Sequence, residues 1–333
     1  MLATMRVLIT GMTGFIAHHI VEDILKNTDW EIVGLDRLDL SGTFHRLTHI
    51  KSWEKEKHRV SFAFHDLKAP INQFVANRLG KVDVILHLAA STHVDRSIDN
   101  PMEFVLDNVV GTVNLLDYAR AHPVKQFLYF STDEVFGPAP EGVAYKEWDR
   151  YNSGNPYAAS KAGGEEMCLS YANTYKLPVF ITHTMNVFGE RQHPEKFIPM
   201  VIRKVLNGEQ VTIHANKEKT KAGSRFYIHC RNVAVAVRFL LEKAETGEKY
   251  NVVGEKEVDN LELAQFIAGV VGKPLKYEMV DFHSSRPGHD LRYALDGSKL
   301  AGMGWAPPKT FEQSMKKTVE WYLAPENREW LLL

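Results

Sequence analysis

Arg6-Val-Leu-Ile-Thr10, running straight into Gly11-Met-Thr-Gly14-Phe-Ile-Ala17, is the stretch on which the reading of this chain turns. A short apolar run meets two glycines, and a helical pattern over Gly14 to Lys26 begins at once. The order is strand, tight turn, helix. Glycines at such a turn allow close backbone approach, and the first N–H groups of the helix, unpaired within it, face a pyrophosphate. Asp36 closes the next apolar run, Glu31 to Leu35, about 20 residues further on, where a carboxylate accepts hydrogen bonds from an adenosine ribose. That carboxylate repels a 2′-phosphate, so the pattern predicts NAD in preference to NADP, with Arg37 as the one neighbour that argues the other way. Gly11, Gly14, Phe15, Ile16 and Asp36 form the first cofactor set, and Asp66, just after the run Val60 to Phe64, extends it towards the adenine.

Working outward, further apolar runs follow at Val60 to Phe64, Val82 to Ala89 and Gln126 to Ser131, with helical patterns at Pro101 to Ala121 and Pro156 to Tyr175. Near-continuous apolar character marks strands covered on both faces. The alternation is βαβαβ, so the expected fold class is α/β: a Rossmann-type, doubly wound parallel sheet. Asn100-Pro101 and Asn155-Pro156 each set an N-cap side chain before a proline at the first helical position. Beyond Pro178 the alternation loosens, which predicts a nucleotide-binding domain over residues 1–178 and a smaller substrate-binding lobe over 179–333. The run from about 225 to 250 is able to rejoin the large domain. At 333 residues a two-lobed molecule with a cleft is the natural expectation.

Charge is balanced, Lys+Arg 40 against Asp+Glu 41, which gives no electrostatic reason to propose nucleic acid or an anionic membrane as partner. Cys168 and Cys230 sit in apolar contexts and are expected to be buried free thiols in a reducing compartment. The N-terminal apolar run is too short for a secretory signal, and no segment approaches the roughly 20 apolar residues of a membrane span. A cytoplasmic protein is expected. No Cys, His and carboxylate cluster stands at ligand spacing in the sequence, so no metal is expected.

Tyr157 and Lys161 lie four apart at the start of the capped helix, on one face. An ammonium beside a phenol stabilises the phenolate and lowers its pKa, so that it takes a proton from a sugar hydroxyl near neutral pH. The pair follows a nucleotide-binding half and a strand ending in Ser131-Thr132, the setting in which such a pair acts catalytically. Asp133 and Glu134 come directly after that strand. Two adjacent acids there serve equally as a solvated loop or as an acid and base pair.

Gly11 to Ala17, His87-Leu-Ala-Ala90, Ser131-Thr-Asp-Glu-Val-Phe-Gly137 and Tyr157-Ala-Ala-Ser-Lys161 together resemble the extended short-chain dehydrogenases, and within them the dTDP-glucose 4,6-dehydratase family. His93-Val-Asp-Arg-Ser97, Pro194-Glu-Lys-Phe-Ile-Pro199 and Arg286-Pro-Gly-His-Asp290 carry the resemblance over nearly the whole chain. It implies that Thr132 and Tyr157 handle a sugar 4-hydroxyl, that Lys161 supports Tyr157 and holds the nicotinamide ribose, and that Asp133 and Glu134 are acid and base for eliminating water. Leu67, Ala89 and Ala90 then join the cofactor set, and His93, Asn186, Lys196, Arg225, Arg286 and His289 fall around the substrate. The implied reaction is C4 oxidation, loss of water across C5 and C6, and reduction at C6, with NAD regenerated in each turnover. Related epimerases generally lack the acidic pair. Rival readings are a 4-epimerase, a dehydratase acting on a UDP-N-acetylhexosamine, and a non-catalytic NAD-binding scaffold. Departures from the family pattern are Ala17 in place of a glycine, Ser91-Thr92 in place of Glu-Ser, and a longer loop from Ala215 to Ser224 with Lys217, Lys219 and Lys221. Apolar residues spread around the helix Pro101 to Ala121 beyond one face, from Met102, Val105 and Leu106 to Leu115, Leu116 and Tyr118, which with the resemblance predicts a homodimer paired through this helix and Pro156 to Tyr175.

Overall fold

A computed structural model describes residues 5–39, 41–281 and 291–332. Its strands, in chain order, are β1 (Arg6–Thr10), β2 (Glu31–Asp36), β3 (Val60–Phe64), β4 (Val84–His87), β5 (Gln126–Thr132), β6 (Val179–Thr184), β7 (Asn186–Phe188), β8 (Gln210–Ala215), β9 (Ser224–His229), β10 (Lys249–Val252), β11 (Glu257–Asp259) and β12 (Lys276–Asp281). Seven of them form one sheet in the order β3-β2-β1-β4-β5-β6-β10, parallel throughout. Val7, Leu8, Ile9, Val84, Ile85, Leu86, Phe127 and Leu128 are wholly buried because helices cover both faces. Helices Phe15–Asn27 and Cys230–Lys243 pack over Ile9, Leu86 and Trp30 on one side. Helices Gly111–Ala121 and Pro156–Tyr175 pack over Leu8, Ile85 and Tyr129 on the other. Strand order reverses between β1 and β4, and a cleft opens at the carboxyl ends of the strands there.

Three departures from the sequence expectation bear on the site. The run Val82 to Ala89 pairs only over Val84–His87, so Leu88, Ala89 and Ala90 leave the ladder and are free to line the cleft. Asn155 caps as expected, its Oδ1 accepting from Ala158 N at 2.8 Å, but the Asn100 side chain instead donates to Glu103 Oε2 at 3.1 Å. Between Pro101–Val105 and Gly111–Ala121 the helix widens into a π-helical turn, Leu106–Val110, a feature the 3.6-residue period does not announce.

The smaller lobe has its own core, where helices Phe197–Asn207, Asn260–Val271 and Phe311–Leu323 enclose Phe188, Ile202, Ile213 and Ile267. A three-stranded sheet, β11-β9-β7, and the pair β12-β8 belong to this side. The chain crosses between the lobes more than once. β6 and β10 both lie in the large sheet, and between the segments of the smaller lobe the chain returns to it, with the helix Cys230–Lys243 packing on the helix Phe15–Asn27. A buried polar network pins this return: Glu165 pairs with Lys249 and with His183 Nε2 at 3.0 Å each, while His183 Nδ1 meets Asn251 Oδ1 at 3.0 Å. Asn251 Nδ2 then donates to Tyr145 O and Asp296 O, which fixes the segment leading to Asn155. Cys168 and Cys230 are free and buried. Among the described residues no helix is long and apolar enough to cross a membrane.

Candidate active site

The fingerprint turn is built by close approach. Gly11 has φ +65°, and a Cβ there would lie 2.9 Å from the Ala89 Cα, so only glycine fits between β1 and the 88–90 segment. Gly14 caps the helix Phe15–Asn27 without a side chain, leaving the first N–H groups open to a ligand. Asp36 locks the turn from below. Its Oδ2 accepts from Thr13 N at 3.0 Å and Thr13 Oγ1 at 2.7 Å, and its Oδ1 from Leu38 N at 3.0 Å. A pocket of about 110 Å³ lined by Gly11, Gly14, Asp36, Asp66, Leu67, Ala89 and Ala90 is shared at its edge with a cleft of about 690 Å³, which Phe15 and Ile16 also line. A glycine cradle, an open helix end and a carboxylate at the ribose position fit a dinucleotide. Thr10 Oγ1 contacts His87 Nδ1 at 2.8 Å and accepts from Ala89 N at 3.1 Å, which ties the two sides of the cleft floor together. Burial pushes His87 down to about 3, so this bridge is neutral.

Thr132, Asp133, Glu134, Tyr157 and Lys161 all line the larger cleft. β5 carries Thr132 to its carboxyl end, and a 3₁₀ turn, Asp133–Phe136, presents the two acids, with Thr132 Oγ1 accepting from Glu134 N at 3.4 Å. Asp133 is buried and receives a hydrogen bond from Thr132 Oγ1 at 2.9 Å on one oxygen, while the other is buried without a partner among the described residues. Burial first, and the neighbouring Glu134 charge second, push Asp133 up to about 7. Glu134 is held differently: Asn155 Nδ2 donates to its Oε2 at 3.2 Å. One residue therefore caps the helix that bears Tyr157 and also grips this carboxylate.

Tyr157 differs from its sequence expectation. Burial and the Glu134 charge raise its pKa above the ordinary tyrosine range, against a lowering hydrogen bond with Thr132. Lys161 does not offset this as the structure stands. Its ammonium donates to Phe130 O at 2.8 Å and lies over the Tyr129 ring, 4.2 Å from the centroid, while burial pushes it down to about 7. A four-residue spacing places two side chains on one helix face; desolvation decides their ionisation.

On the far wall His93, Asn186 and Lys196 line the same cleft. Arg225 does not: one of its terminal nitrogens donates to Ser224 O and Leu291 O at 2.7 Å each, and its guanidinium lies 4.6 Å from the Tyr293 ring centroid. Its charge nonetheless acts on Asp133, in the lowering direction. Arg286 and His289 lie outside the described residues. Arg96, on the short helix Val94–Asp99, and Gln192, His193 and Glu195, on the loop before the helix Phe197–Asn207, also face the cleft and were not singled out as site residues by the sequence, since isolated polar residues carry no periodic signal. Folding also gathers His19, Glu190 and Cys230, and separately brings Glu329 to His45 and His49, which lie four apart in the chain. Neither group lines the cleft; Glu190 bonds Arg231 at 2.6 Å, and Glu329 bonds His45 at 3.0 Å.

The geometry has close counterparts. A family profile described as GDP-mannose 4,6 dehydratase matches residues 8–318. The chain is 35% identical to the dTDP-glucose 4,6-dehydratase of Salmonella typhimurium, over 98% of this chain and 94% of that one. It is 36% identical to a trifunctional Arabidopsis thaliana protein whose name begins with UDP-glucose 4,6-dehydratase, over 97% of this chain and 48% of that one. Among solved structures, the dTDP-glucose 4,6-dehydratase of Streptomyces venezuelae, crystallised with NAD, superposes with a TM-score of 0.88 at 33% identity, over 98% of this chain and 99% of that one.

Proposed function

The chain belongs to the GDP-mannose 4,6 dehydratase family, and from that premise we propose that it converts a nucleoside-diphosphate hexose of the dTDP- or UDP-glucose type to the 4-keto-6-deoxy sugar nucleotide. The observation that carries this reading is the convergence of Asp133 and Glu134 on the cleft wall that also holds Tyr157 and Lys161. Interchange at C4 needs only the last two, whereas loss of water needs an acid and a base besides. NAD, bound at the glycine turn and Asp36, supplies reversible uptake of hydrogen from the sugar.

The residues divide the proton work. Tyr157 takes the proton of the 4-hydroxyl, with Thr132 orienting that hydroxyl and charged Lys161 stabilising the phenolate. A ketone at C4 makes the C5 proton acidic, and Glu134, held by Asn155, removes it. Asp133 protonates the departing C6 hydroxyl. Adjacent acids take opposite roles when burial and repulsion separate their ionisation, and Asp133 is the one pushed towards neutrality. His93, Asn186 and Lys196 hold the substrate, with Lys196 suited to a phosphate oxygen. Arg286 and His289 complete that set in our reading, while Arg225 acts on the site through its charge beside Asp133. Incubation of the pure protein with dTDP-glucose, UDP-glucose and UDP-N-acetylglucosamine tests the assignment: mass spectrometry is expected to show loss of one water from a glucose nucleotide. Inversion at C4 without mass change would make the protein an epimerase.

Asp133 sets a pH dependence. With its pKa raised to about 7, the acid form prevails below that pH and is lost above it. Lys161 loses its proton over the same range, so kcat is expected to fall about tenfold or more per unit on the alkaline side. The limb belongs to the coupled carboxyl pair and lysine together rather than to one group. A rate that stays level from about pH 6 to about pH 9 would remove Asp133 from the acid role.

We also propose a cytoplasmic homodimer. Leu115, Leu116 and Tyr118 are buried against the sheet, whereas Met102, Val105 and Leu106 on the preceding turns are 62%, 41% and 39% exposed, an apolar surplus that asks for a partner. Light scattering at micromolar concentration is expected to give a dimer, and the double variant Val105→Asp, Leu106→Asp a folded monomer. A monomeric wild type would reject the dimer.

A further inference from the structure

Arg37 follows Asp36 directly, at the end of β2, the place from which an arginine takes the 2′-phosphate of NADP. A phosphate is held best by a pair of N–H groups on one edge of the guanidinium. Here both two-donor edges are filled. Nη1 donates to Asp107 Oδ1 at 2.6 Å and Nη2 to Asp107 Oδ2 at 2.9 Å. Nε donates to Asp39 Oδ2 at 3.0 Å, and Nη2 lies 2.9 Å from the same oxygen. Asp66 Oδ2 stands 3.6 Å from Nη1.

Asp107 is the partner that fixes this arrangement. Asp39 is a surface residue with its side chain 44% exposed, but the Asp107 side chain is only 5% exposed. It comes from the π-helical turn Leu106–Val110, where its Oδ2 also accepts from Ser91 Oγ at 2.6 Å. Its neighbour Asn108 accepts from Ser91 N at 2.8 Å and donates to Ser91 O at 2.9 Å, so the turn is bolted to the cleft floor. Asp107 lies below the ordinary carboxyl range, because its bonds from Arg37 and Ser91 outweigh the effect of burial. The pocket lining holds Asp36, Asp39, Asp66 and Asp107 against Arg37 and Lys68, an excess of negative charge around Arg37.

We propose that Asp107 is a specificity-determining residue for the cofactor: by occupying Arg37 from a π-helical turn, it denies NADP the guanidinium that follows Asp36 and would receive its 2′-phosphate. The proposal rests on the reading of the cleft as a dinucleotide site. It assigns NAD selectivity to two carboxylates, Asp36 by repulsion and Asp107 by sequestration. It also gives Ser91, one of the departures from the family pattern, a task as the second anchor of Asp107.

The test is the ratio of NADP to NAD affinity, measured by calorimetry and by competition on nucleotide-stripped protein. Asp107→Asn keeps the shape of the side chain but loses the bidentate acceptor. That variant is expected to raise the ratio about tenfold or more. Adding Arg37→Leu to it should abolish the gain. In the wild-type background Arg37→Leu alone should change NADP affinity by less than about twofold, because an occupied guanidinium contributes nothing to the phosphate. An unchanged ratio in a folded Asp107→Asn protein, or a gain that survives Arg37→Leu, overturns the proposal. Should Asp107→Asn fail to fold, the single Arg37→Leu variant decides: a tenfold loss of NADP affinity would mean that Arg37 was available all along. Failure of the wild type to bind either nucleotide would instead remove the dinucleotide reading on which the proposal rests.

Discussion

Tyr157→Phe is expected to lower the dehydration rate by about 10³-fold, within the span of general acid–base catalysis, while leaving the fold intact. The ring itself is structural: it packs edge-on to Phe104 with centroids 6.4 Å apart and lies in a small apolar cluster with Val94. Phenylalanine keeps those contacts and removes only the oxygen. What is lost is the acceptor for the 4-hydroxyl proton, the first proton to move. Every later step depends on the ketone this creates, so the variant should show neither dehydrated product nor solvent deuterium at C5. Quenching with borodeuteride should leave no deuterium at C4 in recovered sugar. The raised pKa of the resting phenol adds a condition. Charge on Lys161 has to be present when the proton moves, so Lys161→Met should resemble Tyr157→Phe more than it resembles a binding defect. A Tyr157→Phe protein with wild-type turnover would refute the role.

What the sequence made legible follows from what leaves a regular trace. β1, the glycine turn and Asp36 were readable because strand, turn and helix each have a period or a breaker, and the fingerprint needs them in that order. Tyr157, Lys161 and the strand end at Thr132 were readable for the same reason, and all three face one cleft. The π-helical turn was not, since one added residue per turn is invisible in a pattern of apolar residues, and with it went the meeting of Asp107 and Arg37 over a separation of 70 residues. The ionisation of the Tyr157 and Lys161 pair was read from charge alone, whereas burial reverses the direction for tyrosine. Arg225 was placed on the substrate by family likeness, yet one of its terminal nitrogens donates to two backbone carbonyls at 2.7 Å, away from the cleft lining. Long-range contacts of this kind depend on which loop ends the fold brings together, and no local pattern encodes them. The second function of Asn155 is of the same sort: the cap is written in Asn-Pro, the grip on Glu134 only in the folded chain.

Glu134→Gln separates elimination from oxidation. Glutamine is isosteric, still accepts from its surroundings, and offers no basic oxygen, so abstraction of the C5 proton is expected to fall about 100-fold or more. Oxidation at C4 relies on Tyr157, Lys161 and Thr132 and should persist. The variant should therefore hold a 4-keto sugar that keeps its 6-hydroxyl, and a borodeuteride quench should place deuterium at C4, the outcome opposite to that for Tyr157→Phe. In heavy water the wild type should carry solvent deuterium at C5 of the product, and the variant little or none. Asn155→Ser offers a milder version of the same test. Serine still caps the helix at a cost of a few tenths of a kcal/mol, but it has no amide to hold Glu134 Oε2, now 3.2 Å from Asn155 Nδ2. Loss of exchange at C5 with normal formation of the ketone would locate the defect at the Glu134 carboxylate and not in the helix. If Glu134→Gln instead forms dehydrated product at the wild-type rate, the base is another group. Asp133, the other carboxyl on this wall, would then have to give up its acid role, because a single carboxyl that rests protonated cannot take the C5 proton before it has delivered its own to the C6 hydroxyl.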